Sequence, residues 1–262
     1  MTPPIGTGNI YFLAATLTLA WSKMVWTGLH GLIGIGVALA TRGRAILGDV
    51  GTKTMRFGIV WGSIIPDVDL LISIVIIAAG GNMQQALAPH RTLTHSFFTM
   101  LALALIGILL WRTGSSRSVG GGLFGISVGM FLHVLFDLPY EVGVSFLWPL
   151  TSQRFGLLWS LPGIWAYLDQ TLDFLFAAVF FYALHRLAKK YQTRERLLVP
   201  AAIASLIAFV GMVAYDLTAP SGDQWLLVYA GVGLPFLILI LLLPWLNRRI
   251  IYSIPVTSEH HT

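Results

Sequence analysis

Four histidines and three aspartates in this chain could hold a divalent cation or move protons: His30, Asp67, Asp69, His90, His95, His133 and Asp137. Neutral imidazole is the commonest protein ligand for zinc-like metals, and carboxylates complete such sets. His133 and Asp137 stand four residues apart. On a helix they share one face about a turn apart and can point at one ion or at each other. Asp67 and Asp69 flank Val68 just after Pro66, a residue that disrupts a helix interior. His90 and His95 bracket Arg91, which could hold an anionic group such as phosphate or pair with one of the aspartates. Each motif also has a plainer reading, as polar lining of a water-filled passage or as a His–Asp hydrogen bond joining two helices. The chain has no cysteine, so thiolate zinc sites, disulfides and cysteine nucleophiles are excluded and the redox compartment is left undetermined.

The elements that must position these residues are membrane spans. Of 262 residues 56% are hydrophobic and 10% charged, against about a quarter charged in soluble domains, and the mean hydropathy is +0.79. No polar stretch is long enough for a separate soluble core. Apolar runs that match the roughly 20 residues needed to cross a bilayer fall near 57–80, 93–111, 120–138, 169–187, 197–218 and 225–247. A shorter run, 29–41, precedes them. The expected fold is an all-α polytopic bundle of about seven spans, six to eight. Residues 1–23 read as an apolar extension without the basic start of a signal peptide, 24–156 as the core that carries the motifs, and 157–262 as further spans with a short tail.

The net charge of +5 sits in clusters between apolar runs rather than on one face, which argues against a nucleic-acid partner and for membrane orientation. Segments 42–56, 112–119, 186–196 and the tail at Arg248-Arg249 carry the cations. They alternate with cation-poor 81–92, 139–168 and 219–224, which predicts an up-and-down topology with a cytoplasmic C-terminus. Segment 139–168, with Trp148, Trp159, Trp165 and three prolines, reads as interfacial or re-entrant on the other side, or as an ordinary long loop. Residues 114–122, rich in Gly and Ser, read as a flexible connector. His30, His90, His95, His133 and Asp137 then fall in the outer half of the membrane, with Asp67 roughly 14 Å into its span counting from Gly58. Ionisable groups there cost several kcal/mol unless paired, hydrated or metal-bound. So many together match the ligand set of a hydrolytic site with one to three metals, in which the ions acidify water and clamp the reacting oxygen.

The order of motifs carries a resemblance. An N-terminal His30, Gly62-Ser63-Ile64-Ile65-Pro66-Asp67-Val68-Asp69, His90-Arg91-Thr92-Leu93-Thr94-His95-Ser96, and His133-x-x-x-Asp137 followed by Phe146-Leu147-Trp148-Pro149-Leu150 resemble the YdjM-like family of inner-membrane, metal-dependent hydrolases, also labelled LexA-binding. The resemblance covers roughly 24–156. It implies that His30, Asp67, Asp69, His90, His95, His133 and Asp137 are the metal-site residues. A distant similarity to zinc-dependent phospholipase C and its nuclease relatives implies phosphoester hydrolysis. Where the family commonly continues with a further His, this chain has Leu70.

These readings converge on an integral-membrane hydrolase using one to three divalent ions, zinc foremost. Its substrate would be a small molecule or a lipid-linked ester, and membrane lipids its surroundings. Asp69, Arg91 and Glu141 are the candidate catalytic groups, with Glu141 either a general base or a loop acid. The alternatives are a His/Asp-lined ion or proton transporter and a non-catalytic scaffold that binds a partner through 186–196. Asp169 and Asp173 suit a helix N-terminal dipole or support the site. His185 reads as interfacial, and His260 and His261 belong to a polar tail.

Overall fold

The computed structural model describes residues 27–80, 85, 88–138, 143–156, 164–218 and 223–256. Glu141, His260, His261, Trp159 and residues 1–23 lie outside the described residues. The described chain is helical, with two isolated bridges and no named strand. In order come α1 (Thr27–Ala40), α2 (Gly48–Gly62), α3 (Asp69–Ala78), α4 (Phe97–Arg112), α5 (Arg117–Asp137), α6 (Ile164–Lys190), α7 (Leu198–Thr218), α8 (Asp223–Leu246) and α9 (Arg248–Tyr252). Among the described residues, three stretches are long and apolar enough to cross a membrane: Arg117–Asp137, Thr171–Lys190 and Leu198–Thr218. Thr27–Ala40, Phe97–Arg112 and Gly231–Leu246 are shorter apolar helices. This is a membrane-type helical bundle, with three clear spans where the sequence suggested about seven.

Two segments depart from expectation for a local reason. The expected span 57–80 is broken: α2 stops at Gly62, a 3-10 turn occupies Ile65–Val68, and α3 begins at Asp69. Pro66 has no N–H and a ring that clashes with a continuing helix, so it is tolerated at the start of the short turn instead. Asp67 therefore sits in a break between helices rather than deep inside one. The second departure is 42–56, expected as a cationic loop. Most of it is the first half of α2, and Arg56 is fully buried.

Backbone proximity, more than side-chain bulk, joins α2 to α5. Gly121, Gly125 and Gly129 recur every four residues on α5, and a Cβ on Gly129 would lie 2.6 Å from the Ser63 nitrogen. Opposite them, a Cβ on Gly58 would lie 2.8 Å from the Ile126 nitrogen. Small residues at this spacing let helices approach closely where no hydrophobic effect pulls them together. Residues 133 and 137 continue the same four-residue row, so the stripe that seats α5 against α2 also aims His133 and Asp137 at the α2–α3 break. Ser96 caps α4, accepting from the Phe98 N–H at 3.1 Å, and so fixes where the His95 turn ends. The apolar core of Ile35, Ala38, Val60, Phe180, Phe181 and Leu184 fills the bundle between α1, α2 and α6.

Candidate metal centre

His30 lies in the first turn of α1, Asp67 in the break, Asp69 at the start of α3, His90 and His95 in the turns before α4, and His133 and Asp137 in the last turns of α5. All seven are buried. Their helix ends lie away from the cation-bearing ends at Thr41–Arg44, Arg112–Arg117 and Lys189–Lys190.

Asp137 is the hub. His30 Nε2 stands 3.2 Å from its Oδ1, and His95 Nε2 and His133 Nε2 stand 3.4 Å and 3.5 Å from its Oδ2. None of these is a hydrogen bond: both Asp137 oxygens, both His30 ring nitrogens and the Nε2 atoms of His95 and His133 are buried without a hydrogen-bond partner. The Asp67 Oδ1 likewise lies 3.5 Å from His133 Nε2, while its Oδ2 accepts from Thr27 Oγ1 at 2.6 Å.

The other ring nitrogens explain why. His133 Nδ1 lies 2.9 Å from the Ser63 carbonyl, freed where α2 stops. A carbonyl only accepts, so Nδ1 carries a proton, and in the neutral ring Nε2 keeps its lone pair. Thr94 Oγ1 donates to Asp69 Oδ2 at 2.8 Å, so the same hydroxyl accepts from His95 Nδ1 at 2.9 Å. Nε2 of His95 is then also a lone pair. With both rings neutral, two imidazole lone pairs face a carboxylate, an arrangement favourable only with positive charge, an ion or a proton, between them. Ligand atoms on one tetrahedral zinc ion, at its usual bond lengths, stand roughly 3.3 Å apart. The Nε2–carboxylate separations match that value. Two sets have ligand atoms all within 4.8 Å of one another: His30, His133 and Asp137, and Asp67, His95 and His133. Both use His133. One lone pair serves one ion, so for His133 the sets are alternatives.

Asp69 and His90 are placed differently. Asp69 accepts from His90 Nδ1 at 2.7 Å, from the Arg91 backbone N–H at 2.9 Å and from Thr94 at 2.8 Å. Its oxygens are engaged in orienting the 90–95 turn, the arrangement commonly found behind metal-binding imidazoles. Arg91 adopts φ 61°, a left-handed conformation uncommon outside glycine. Both of its backbone groups are tied down, the N–H by Asp69 and the carbonyl by the Ser145 N–H at 3.0 Å. This directs the buried guanidinium inward, with Nε 3.7 Å from Asp137 Oδ2 and Nη1 donating to the Gly143 carbonyl at 3.4 Å.

Of segment 139–168, expected to be interfacial, re-entrant or a plain loop, the described residues 143–156 form a turn-rich loop bolted to this region, and 164–168 begin α6. Val144 and Phe155 exchange backbone bonds of 3.0 Å, Phe97 N–H donates to the Phe146 carbonyl at 2.9 Å, and Ser96 Oγ donates to the Trp148 carbonyl. The loop contributes a residue absent from the sequence reading, Arg154, whose Nη2 donates to the His90 carbonyl at 3.3 Å. Partial burial, then the neighbouring Arg91 guanidinium, push Arg154 below the usual arginine range, while Asp69 pulls the other way. No spacing rule ties residue 154 to the 90–95 turn, so only folding reveals it. Asp173 on α6 accepts from the Gly28 N–H at 3.0 Å, filling an orphan donor in the first turn of α1 two residues before His30. It supports the site from outside. His185 is buried and paired with Glu195 at 2.6 Å, and takes no part.

The model of the YdjM inner membrane protein family matches residues 24–218, well over half of the chain. No curated protein and no solved structure matches it. The chain belongs to the YdjM inner membrane protein family.

Proposed function

We propose that this inner membrane protein is a metal-dependent hydrolase that uses one to three divalent ions, zinc foremost, drawn to the set His30, His95, His133, Asp67 and Asp137, with His133 serving one ion at a time. The observation that carries the reading is the set of buried Nε2–carboxylate pairs at 3.2–3.5 Å with no hydrogen bond between them. A bound divalent ion supplies Lewis acidity: it acidifies water and polarises a phosphoryl or acyl oxygen. Ser63 and Thr94 fix the ring protons of His133 and His95, and Asp69 with His90 holds the 90–95 turn in place. Arg91 and Arg154 supply positive charge against an anionic substrate group, which favours a phosphoester. A centre on the non-cytoplasmic side, at helix ends opposite the cationic turns, suits a lipid or lipid-linked ester, with the C-terminus cytoplasmic.

A transporter would need polar groups continuing across the bundle. The packing of α1, α2 and α6 between the cluster and the cationic end is instead Ile35, Ala38, Val60, Phe180 and Leu184, and the buried Arg56 is tied to Thr41, Ile254 and Pro255, not to the cluster. The test is metal content by mass spectrometry on the detergent-purified protein, wild type against a His133→Ala, Asp137→Ala double variant. Stoichiometric zinc or manganese that disappears in the variant is the expected result, followed by a screen of phospholipids and phosphodiesters. A folded wild type without metal would overturn the reading and favour proton or ion conduction.

A further inference from the structure

At the cationic end of the bundle, away from the His/Asp cluster, α1 and α6 border an open cavity of about 900 Å³. One wall is apolar, with Ile35 and Leu39 four residues apart on α1 and Leu187 on α6. The other carries Arg186, Lys189 and Lys190, spaced to share one face of α6. No carboxylate lines it among the described residues. The nearby acid, Glu195, is engaged by the His185 ring at 2.6 Å. Arg186 is steadied by Tyr182, its Nη1 donating to the phenolic oxygen at 3.3 Å and its guanidinium lying 5.9 Å from the ring centroid.

Cations at the end of an apolar helix have two ordinary duties, orienting the chain in the membrane and complementing the helix dipole. Either would be met by charge anywhere in 186–196, where Arg194 and Arg196 also sit. Neither duty explains why three of the five cations share a cavity with aliphatic side chains of a second helix. Apolar walls joined to clustered cations at the end of membrane helices are complementary to a phosphate diester carrying acyl chains. We propose that this cavity binds the headgroup and upper acyl chain of an anionic phospholipid, with Arg186, Lys189 and Lys190 on the phosphate and Ile35, Leu39 and Leu187 against the chain. The site is separate from the proposed metal centre and does not depend on it.

The test is native mass spectrometry of the full chain in neutral detergent, titrated with phosphatidylglycerol, phosphatidylcholine or glycerol 3-phosphate. Phosphatidylglycerol should bind in preference to the zwitterionic lipid, and glycerol 3-phosphate should not compete at similar concentration. Lys189→Gln with Lys190→Gln should weaken phosphatidylglycerol roughly thirtyfold, taking about fivefold per cation near an anionic headgroup. Arg194→Gln with Arg196→Gln removes the same charge outside the cavity and should leave binding unchanged. Ala183→Leu, which fills the cavity and keeps every cation, should abolish binding and serves if the lysine variant fails to fold. Equal binding of phosphatidylcholine, competition by glycerol 3-phosphate, or equal losses in the two charge-matched variants would overturn the proposal.

Discussion

Two buried polar clusters are anchored on α2, and they follow opposite rules. Arg56 is fully buried, yet its guanidinium donates to Thr41 Oγ1 at 2.9 Å, to the Ile254 and Pro255 carbonyls at 2.8 Å and 3.2 Å, and to the Thr41 and Arg44 carbonyls at 2.5 Å and 3.5 Å. It knots α2, the turn after α1 and the end of α9 together. Beyond the C-terminus of α2, by contrast, Asp137 and three imidazoles approach without one hydrogen bond among them. Buried polar groups in a finished structure are normally partnered. The knot is finished by its own chain. The cluster has no such finish among the described residues, as the proposed metal would require.

Removing Arg56 should give the largest effect and the one least dependent on metal. Arg56→Met strands the Ile254 and Arg44 carbonyls, while those of Pro255 and Thr41 keep the Gly43 and Arg44 N–H. At about 1–3 kcal/mol for each orphan the loss should be about 4 kcal/mol, seen as aggregation or a collapsed melting temperature with or without zinc. A wild-type melting curve would break the comparison at its firmer side. Asp137→Asn should act mainly on the metal-bound protein. The carboxylate faces the imidazoles and the Arg91 guanidinium at 3.7 Å, so its loss should cancel the stability gain that zinc gives the wild type, about 1–3 kcal/mol, beyond any change in the chelated protein. If zinc raises the variant's melting temperature as much as the wild type's, the Asp137 cluster is ordinary structural polarity. Thr94→Val cuts the relay from His95 to Asp69, and metal affinity should fall about tenfold in a competition titration while the fold survives. Smallest in stability is Arg154→Gln, which should stay within about 0.5 kcal/mol of wild type. It should keep its metal but bind inorganic phosphate several-fold more weakly by calorimetry.

What was legible in the sequence was whatever depends on spacing within one element. His133 and Asp137 share a face because a helix brings residues four apart together, and the motif order led to the family. Pro66 announced the break, but a hydropathy window averages across a six-residue interruption, so 57–80 read as one span. Arg56 read as an orienting loop cation because charge counting is blind to whether five carbonyl and hydroxyl oxygens await it. The row of Gly121, Gly125, Gly129, His133 and Asp137 was present in the sequence at constant spacing, mostly inside the span read at 120–138; the expected flexible connector 114–122 is instead helical from Arg117 on. Arg154 and Asp173 meet the site only through tertiary contact, where linear spacing carries no signal.

The Ser63 carbonyl has a consequence for how this centre can change. It belongs to the main chain, so no replacement of the serine side chain removes it, and the ring orientation of His133 is insulated from point substitution at its own partner. Only a change that shifts where the helix stops, such as replacing Pro66, can reset it. Natural drift and laboratory design would therefore alter this imidazole by moving a backbone boundary, not by exchanging a residue.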